Sequence, residues 1–407
     1  MGFTRHLCYR RGTFILPYKL RMGEESQLKK TLSLTDLIFI GVASILGSGG
    51  FNLIGEAVVK GGTLWPLTLG AASAVFMGSS YTYQKAFELF KTNTAESDIV
   101  KSQFGEVASG LTSASIVIFN ILSISTILVL SAHMIYPDAS WLGHVSFAIL
   151  FLLGMGFFSL RGIEMNKETI NLLSILLIIV FVGISGIGLG GVVTKGWAPA
   201  ASPQNSIMSL LFFYFVLAGF DALIKFTEET KNKEDIPRSF YISNSIATIL
   251  TFGLSIAFVS WINIKKSTNL SNIIGDILDV FLGGKSAEIT KYVSVLYMIL
   301  ASFIVFLTST RYLYGLGKQH DFLKPFTYVN SVKAPTTSTY FTTALAATGI
   351  LVNHTEKLVK ICDFALSSQL FIVSAAATKI ALAAGQVPVI EGLTSASLLG
   401  LMAASFV

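Results

Sequence analysis

The chain has 407 residues, 52% of them hydrophobic and only 13% charged, with a mean hydropathy of +0.68. Soluble domains carry about a quarter charged residues, so that class is excluded and an all-α polytopic membrane protein is indicated. The formal charge of +6 does not argue for a nucleic-acid partner, because in a membrane protein the side on which the cations lie matters more than their sum.

Residues 1–33 hold Arg5, Arg10, Arg11, Lys19, Arg21, Lys29 and Lys30 without an apolar core, which reads as a basic cytoplasmic tail and not as a cleavable signal. The opening "MGFTRH" has His6 where myristoylation wants Ser or Thr. Apolar windows long enough to span a bilayer follow near residues 34–59, 65–88, 106–133, 141–162, 168–193, 206–229, 240–263, 289–317, 336–352 and 358–382, with a shorter apolar piece at 393–407. Sorted by the nearer side, about 21 of the 29 Lys and Arg fall with the N-terminus and about 8 opposite. That bias places the N-terminus inside. The sequons at Asn269 and Asn353 then fall outside, as does "NIIGDILDVFLGG", a candidate interfacial helix. Cys8 and Cys362 cannot sensibly pair and lack metal-ligand spacing.

The first span carries "GSGG", Gly47 to Gly50, and the sixth carries "LAGFD", Leu217 to Asp221. Each opens its half of the ten spans, residues 34–193 and 206–382, and an odd number of spans per half gives the halves opposite topology. Each glycine weakens a helix by roughly 1 kcal/mol, so two readings stand: close helix packing, or a deliberate break. A break exposes amides and carbonyls that are tolerated only beside protein or a polar cavity. Next to a half-helix N-terminus they offer donors to a carboxylate, while freed carbonyls receive an ammonium.

Four stretches then carry a family resemblance. "GVASILGSGGF" resembles the first-helix pattern G-x-x-x-I-x-G-S-G-I-F of the amino acid-polyamine-organocation superfamily. "FVLAGFDALIKFTEETKNKEDIPRSF" resembles its sixth helix and following loop. "LRGIEMNKETIN" and "STRYLYGLGKQHDFLKPF" resemble its entry to helix 5 and exit from helix 8. The resemblance implies a five-plus-five inverted repeat with broken helices 1 and 6, and secondary active transport of amino acids or related amines by alternating access, as symporter or antiporter. It implies that Ser48 and Gly49 hold the substrate carboxylate and carbonyls near Ile45 its ammonium, with Ser44, Gly47, Gly50, Gly219 and Phe220 completing the site. Phe215 would be a gate, and Ala218 would border the side-chain pocket. The chain departs from the pattern at Gly50, Leu217 and Lys233, in "KTNTAESDIV", and at Lys85, where relatives often have Glu.

Asp221, Lys225, Glu228 and Glu229 lie in the inner half of the sixth span, where the steps 221 to 225 and 225 to 229 place opposite charges on one face. They form either an internally paired surface or, at Asp221, a proton-coupling site. Glu56 either attracts cationic substrates or sits at the rim near Lys60. His133 and His144 bracket a short loop and read as exposed. The fifth span has no lysine between Lys167 and Lys195 to stand in for sodium, as some relatives have; Ser302 is a candidate sodium ligand. The coupling ion is therefore H+ or Na+, with no other cofactor or metal expected. "IYPDASWLG" lacks the cysteine by which relatives tether a partner subunit, so none is expected. The absence of HExxH or similar spacing argues against an enzyme, and that of a Walker-type motif against a nucleotide-driven pump. The remaining alternative is a sensor of the same fold that binds amino acids without net transport. The expected location is a multi-pass plasma-membrane protein.

Overall fold

A computed structural model describes residues 27–47, 50–195, 203–265, 286–352 and 355–404. The basic tail through residue 26, the sequons at Asn269 and Asn353, "NIIGDILDVFLGG", and Ser48 and Gly49 lie outside the described residues. The first span is two helices, α1 (Leu34–Gly47) and α2 (Gly50–Gly61). They are followed by α3 (Trp65–Phe90), α4 (Ala95–Ile135), α5 (Trp141–Leu160) and α6 (Ile163–Lys195). The sixth span comprises α7 (Pro203–Val216) and a 3-10 segment, Phe220–Phe226. Then come α8 (Asp235–Lys265), α9 (Ser286–Gln319), a second 3-10 segment (Asp321–Thr327), α10 (Thr336–Val352), α11 (Thr355–Ala383) and α12 (Val389–Ala404). Among the described residues, 7 helices are long and apolar enough to cross a membrane. The protein is an all-α polytopic membrane protein.

Local chemistry sets the boundaries. At the start of α1 the Ser33 N–H and hydroxyl donate to Asp36 Oδ2 (2.8 Å each), and the Asp36 N–H donates back to Ser33 Oγ (3.4 Å), a capping box. Asn171 of α6 donates to the other carboxylate oxygen (2.6 Å). The span expected near 106–133 begins earlier, at Ala95, because Gly105 with φ +85 lets the chain bend there and continue as helix. The span expected over 206–229 stops at Val216, where the chain unwinds before the 3-10 segment.

Two apolar clusters divide the interior. The larger joins α1, α3, α7 and α8, through residues such as Ile40, Phe76, Phe213 and Phe240. The smaller joins α4, α5, α9 and α10, through Leu128, Leu152, Phe306 and Ile350. Two sets of packing pairs interchange when the first five spans are exchanged for the second five: α1 lies on α8 as α7 lies on α3, and α4 on α5 as α9 on α10. A repeat of five spans accounts for that partial correspondence.

Candidate functional site

The two interrupted spans meet. Leu217 and Ala218 donate their N–H groups to the carbonyls of Phe213 and Phe215 (3.1 Å each), closing the last turn of α7, and Gly219 then takes φ +125. A Cβ on Gly219 would lie 2.9 Å from the Ser44 carbonyl oxygen and 3.0 Å from its hydroxyl, in the last turn of α1. Glycine is therefore required twice here, for its backbone angle and for the close approach. At Gly47 the packing reading also holds, since a Cβ there would lie 2.6 Å from Ala301 Cβ and 2.9 Å from the Tyr297 carbonyl oxygen on α9.

Beside this junction, between the two apolar clusters, is a cavity of about 530 Å³. Ser44, Gly47, Phe215, Ala218, Gly219 and Asp221 line it, so six residues expected from sequence are brought together. Leu211, Phe212 and Leu53 add apolar wall, and the opposite side is a stripe of α4 from Phe119 to Met134 with Ser294, Met298 and Val305 of α9. The cavity reaches the far end of α4 at His133, away from the N-terminal segment.

Other expected residues sit elsewhere. Phe220 is fully buried among Phe76, Tyr83 and Phe240, with ring centroids 5.3 to 5.9 Å apart and edge-on, and it anchors the 3-10 segment outside the cavity wall. Ile45 is buried in the larger cluster. Glu56 is half-buried on α2 and does not line the cavity. The Ser302 hydroxyl faces α5, 3.8 Å from Met155 Sδ, while Ala301 and the Tyr297 carbonyl face Gly47. Gly50 begins α2.

The charges at the N-terminal end of the bundle pair across helices. Lys225 is fully buried; its ammonium donates to the Asp221 carbonyl (2.9 Å) and Oδ2 (3.0 Å) and forms an ion pair with Glu96 of α4. The expected step from 225 to 229 is not made, because the 3-10 segment ends at Phe226 and the following turn redirects Glu229. Glu229 instead accepts two bonds from the fully buried Arg311 guanidinium, at 3.0 Å each. Glu228 pairs with Lys318 (3.2 Å). Just beyond, in the loop, burial pushes the Lys233 ammonium down from its ordinary range while it donates to the Lys91 carbonyl (3.0 Å). Lys85 pairs with Glu391 of α12. His133 and His144 are not exposed as expected: His144 is buried, its ring 3.8 Å from that of half-buried His133, because the α4–α5 turn folds His144 Nε2 onto the Tyr136 carbonyl (2.7 Å). Glu96 and Arg311 were missed as site residues. Arg311 enters an otherwise apolar span, a signal that was available, whereas Glu96 lies in the polar stretch "KTNTAESDIV" beside Asp98, where no local signal marks it.

A solute-sized, largely apolar cavity flanked by two interrupted membrane helices defines a membrane carrier of small molecules. The chain belongs to the amino acid permease family, which matches residues 32–395. It is similar to the branched-chain amino acid permease BcaP of Bacillus subtilis (strain 168), at 23% identity over 384 residues, covering 87% of this chain and 81% of that one. Family and relative support amino acid transport and point away from an enzyme.

Proposed function

We propose that the chain is a secondary carrier of neutral amino acids with apolar side chains, working by alternating access across residues 34–193 and 206–382. The observation that carries this reading is the cavity at the junction of α1 and α7. Among the described residues its charged wall residue is Asp221, already paired with Lys225, and His133 and Cys362 are the other titratable ones, so these residues offer no free countercharge to a basic or acidic side chain. Phe212, Phe215, Ile127 and Met298 supply apolar surface instead. The printed name of BcaP specifies branched-chain amino acids, the same chemical class. The substrate zwitterion would place its carboxylate at the break between Gly47 and Gly50, including Ser48 and Gly49, and its ammonium toward the carbonyls of α1 near Ile45. Phe215 would close over it.

The paired charges Arg311–Glu229, Lys318–Glu228 and Lys225–Asp221–Glu96 would hold the cytoplasmic end shut while the cavity faces outward, with the N-terminus inside and the protein in the plasma membrane. The test is counterflow of labelled amino acids in proteoliposomes. Unlabelled leucine or valine should compete at least about tenfold better than lysine or glutamate, since one charge without a partner costs several kcal/mol to bury. Equal competition by lysine would overturn the substrate class, and binding without accumulation would make the protein a sensor.

Coupling to H+ or Na+ is separable by running the same assay with sodium or a pH gradient. Ser302→Ala should leave uptake and its sodium dependence within about twofold, because that hydroxyl is turned to Met155. Loss of sodium stimulation in that variant would restore Ser302 as an ion ligand. Asp221 remains the coupling candidate if the driving ion is the proton.

A further inference from the structure

We propose that the amide of Asn120 and the hydroxyl of Thr126, both on α4, form a hydrogen-bonding subsite that receives an oxygen of the transported molecule; this rests on the carrier reading above. The residues of α4 that line the cavity, among them Asn120, Ser123, Thr126, Ile127 and Leu130, recur at the three- and four-residue steps of one helical face. Asn120 is 2% exposed and Thr126 5%, yet among the described residues Asn120 Nδ2 and Thr126 Oγ1 have no hydrogen-bond partner. Buried polar groups are almost always paired, and an unpaired one is costly.

The rest of α4 shows how such groups are ordinarily satisfied. Thr112, Ser125 and Ser131 each donate to the carbonyl four residues earlier, at 2.9, 2.9 and 2.7 Å. Thr126 sits beside Ser125 on the same helix and does not do so. Thr126 and Asn120 both belong to the lining of a cavity whose wall is otherwise mostly apolar. A donor held unpaired in such a place is satisfied by the ligand, and rejects ligands that cannot pair with it. Nδ2 only donates, so its partner is an acceptor oxygen, from either the substrate carboxylate or a side-chain hydroxyl or amide.

Valine and threonine are close in shape and differ by an oxygen, which makes them the probes. Equilibrium binding of each, radiolabelled, to the detergent-solubilised full chain is measured for the parent, Asn120→Leu and Thr126→Val, with Asn120→Ser as the smaller change should Asn120→Leu fail to fold. About tenfold weaker binding in the variants, at unchanged melting temperature without ligand, is the expected result. Loss confined to threonine assigns the subsite to a side-chain oxygen; equal loss for both assigns it to the carboxylate. Variants that bind both amino acids within twofold of a binding parent would overturn the subsite alone, leaving these groups to water. A parent that binds neither amino acid would sink the carrier reading and the subsite with it.

Discussion

Gly219→Ala is expected to reduce uptake at least about thirtyfold while the protein still inserts and purifies. The residue has φ +125, which costs a non-glycine residue about 1–3 kcal/mol. The new methyl would also lie 2.9 Å from the Ser44 carbonyl oxygen, a backbone atom inside α1 that cannot swing aside as a side chain would. Overpacking of that kind costs about 1–3 kcal/mol. The two terms together, about 2–6 kcal/mol, correspond to a factor of thirty or more at 1.4 kcal/mol per decade. Relief would come by pushing α7 and the 3-10 segment away from α1, which separates the two breaks and reshapes the cavity. Gly183→Ala in α6 is the control: it has ordinary helical geometry and open space around the added methyl, and should transport like the parent. If Gly219→Ala transported equally well, the close approach of the sixth span to α1 would not be a working part of the site.

The spans were legible from hydropathy because lipid admits few alternatives to a continuous helix of some twenty residues. Both interruptions were legible for the same reason, since glycine clusters in such a setting need an explanation. Gly219 and Ser44 turned out to be partners, which links the two sequence signals in space. What the sequence concealed were pairings between distant segments. Glu96 precedes Lys225 by more than a hundred residues, and nothing local to "TAESD" announces that its carboxylate will be buried against the sixth span. Likewise the i,i+4 rule suggested Lys225 with Glu229, but that rule assumes an α-helix, and the chain here is a 3-10 segment followed by a turn. His144 misled for a related reason: a short loop suggested water, whereas its ring folds back under His133.

Phe220 illustrates the difference between a residue in a motif and a residue at a site. It lies next to Gly219 in sequence, but its ring points into Phe76, Tyr83 and Phe240, where edge-on contacts fix the start of the 3-10 segment. Its neighbours Ala218 and Asp221 reach the cavity. Adjacent residues around an unwound turn diverge because no helical period holds them to one face, so a motif alone cannot assign side chains to the pocket.

Lys225→Met should be the most destabilising single substitution among these charged residues. The ammonium is fully buried and lies between Asp221 and Glu96, so removing it strands two carboxylates in a water-poor interior. Breaking a buried pair in this way costs about 3–5 kcal/mol. The expected result is a lower melting temperature in detergent and loss of uptake. Two comparisons identify the cause. Lys91→Met removes one partner of the exposed pair with Glu234 and should barely move the melting temperature, because surface pairs contribute about 0–1 kcal/mol. The triple change Lys225→Met, Glu96→Gln and Asp221→Asn removes every charge of the triad and should recover most of the lost stability. If the triad is only structural, the triple variant should also recover transport; if it carries a coupled proton, stability returns without concentrative uptake. A single Lys225→Met variant that melts with the parent would show that the two carboxylates do not depend on this cation, and the proposed closure of this end of the bundle would need another explanation.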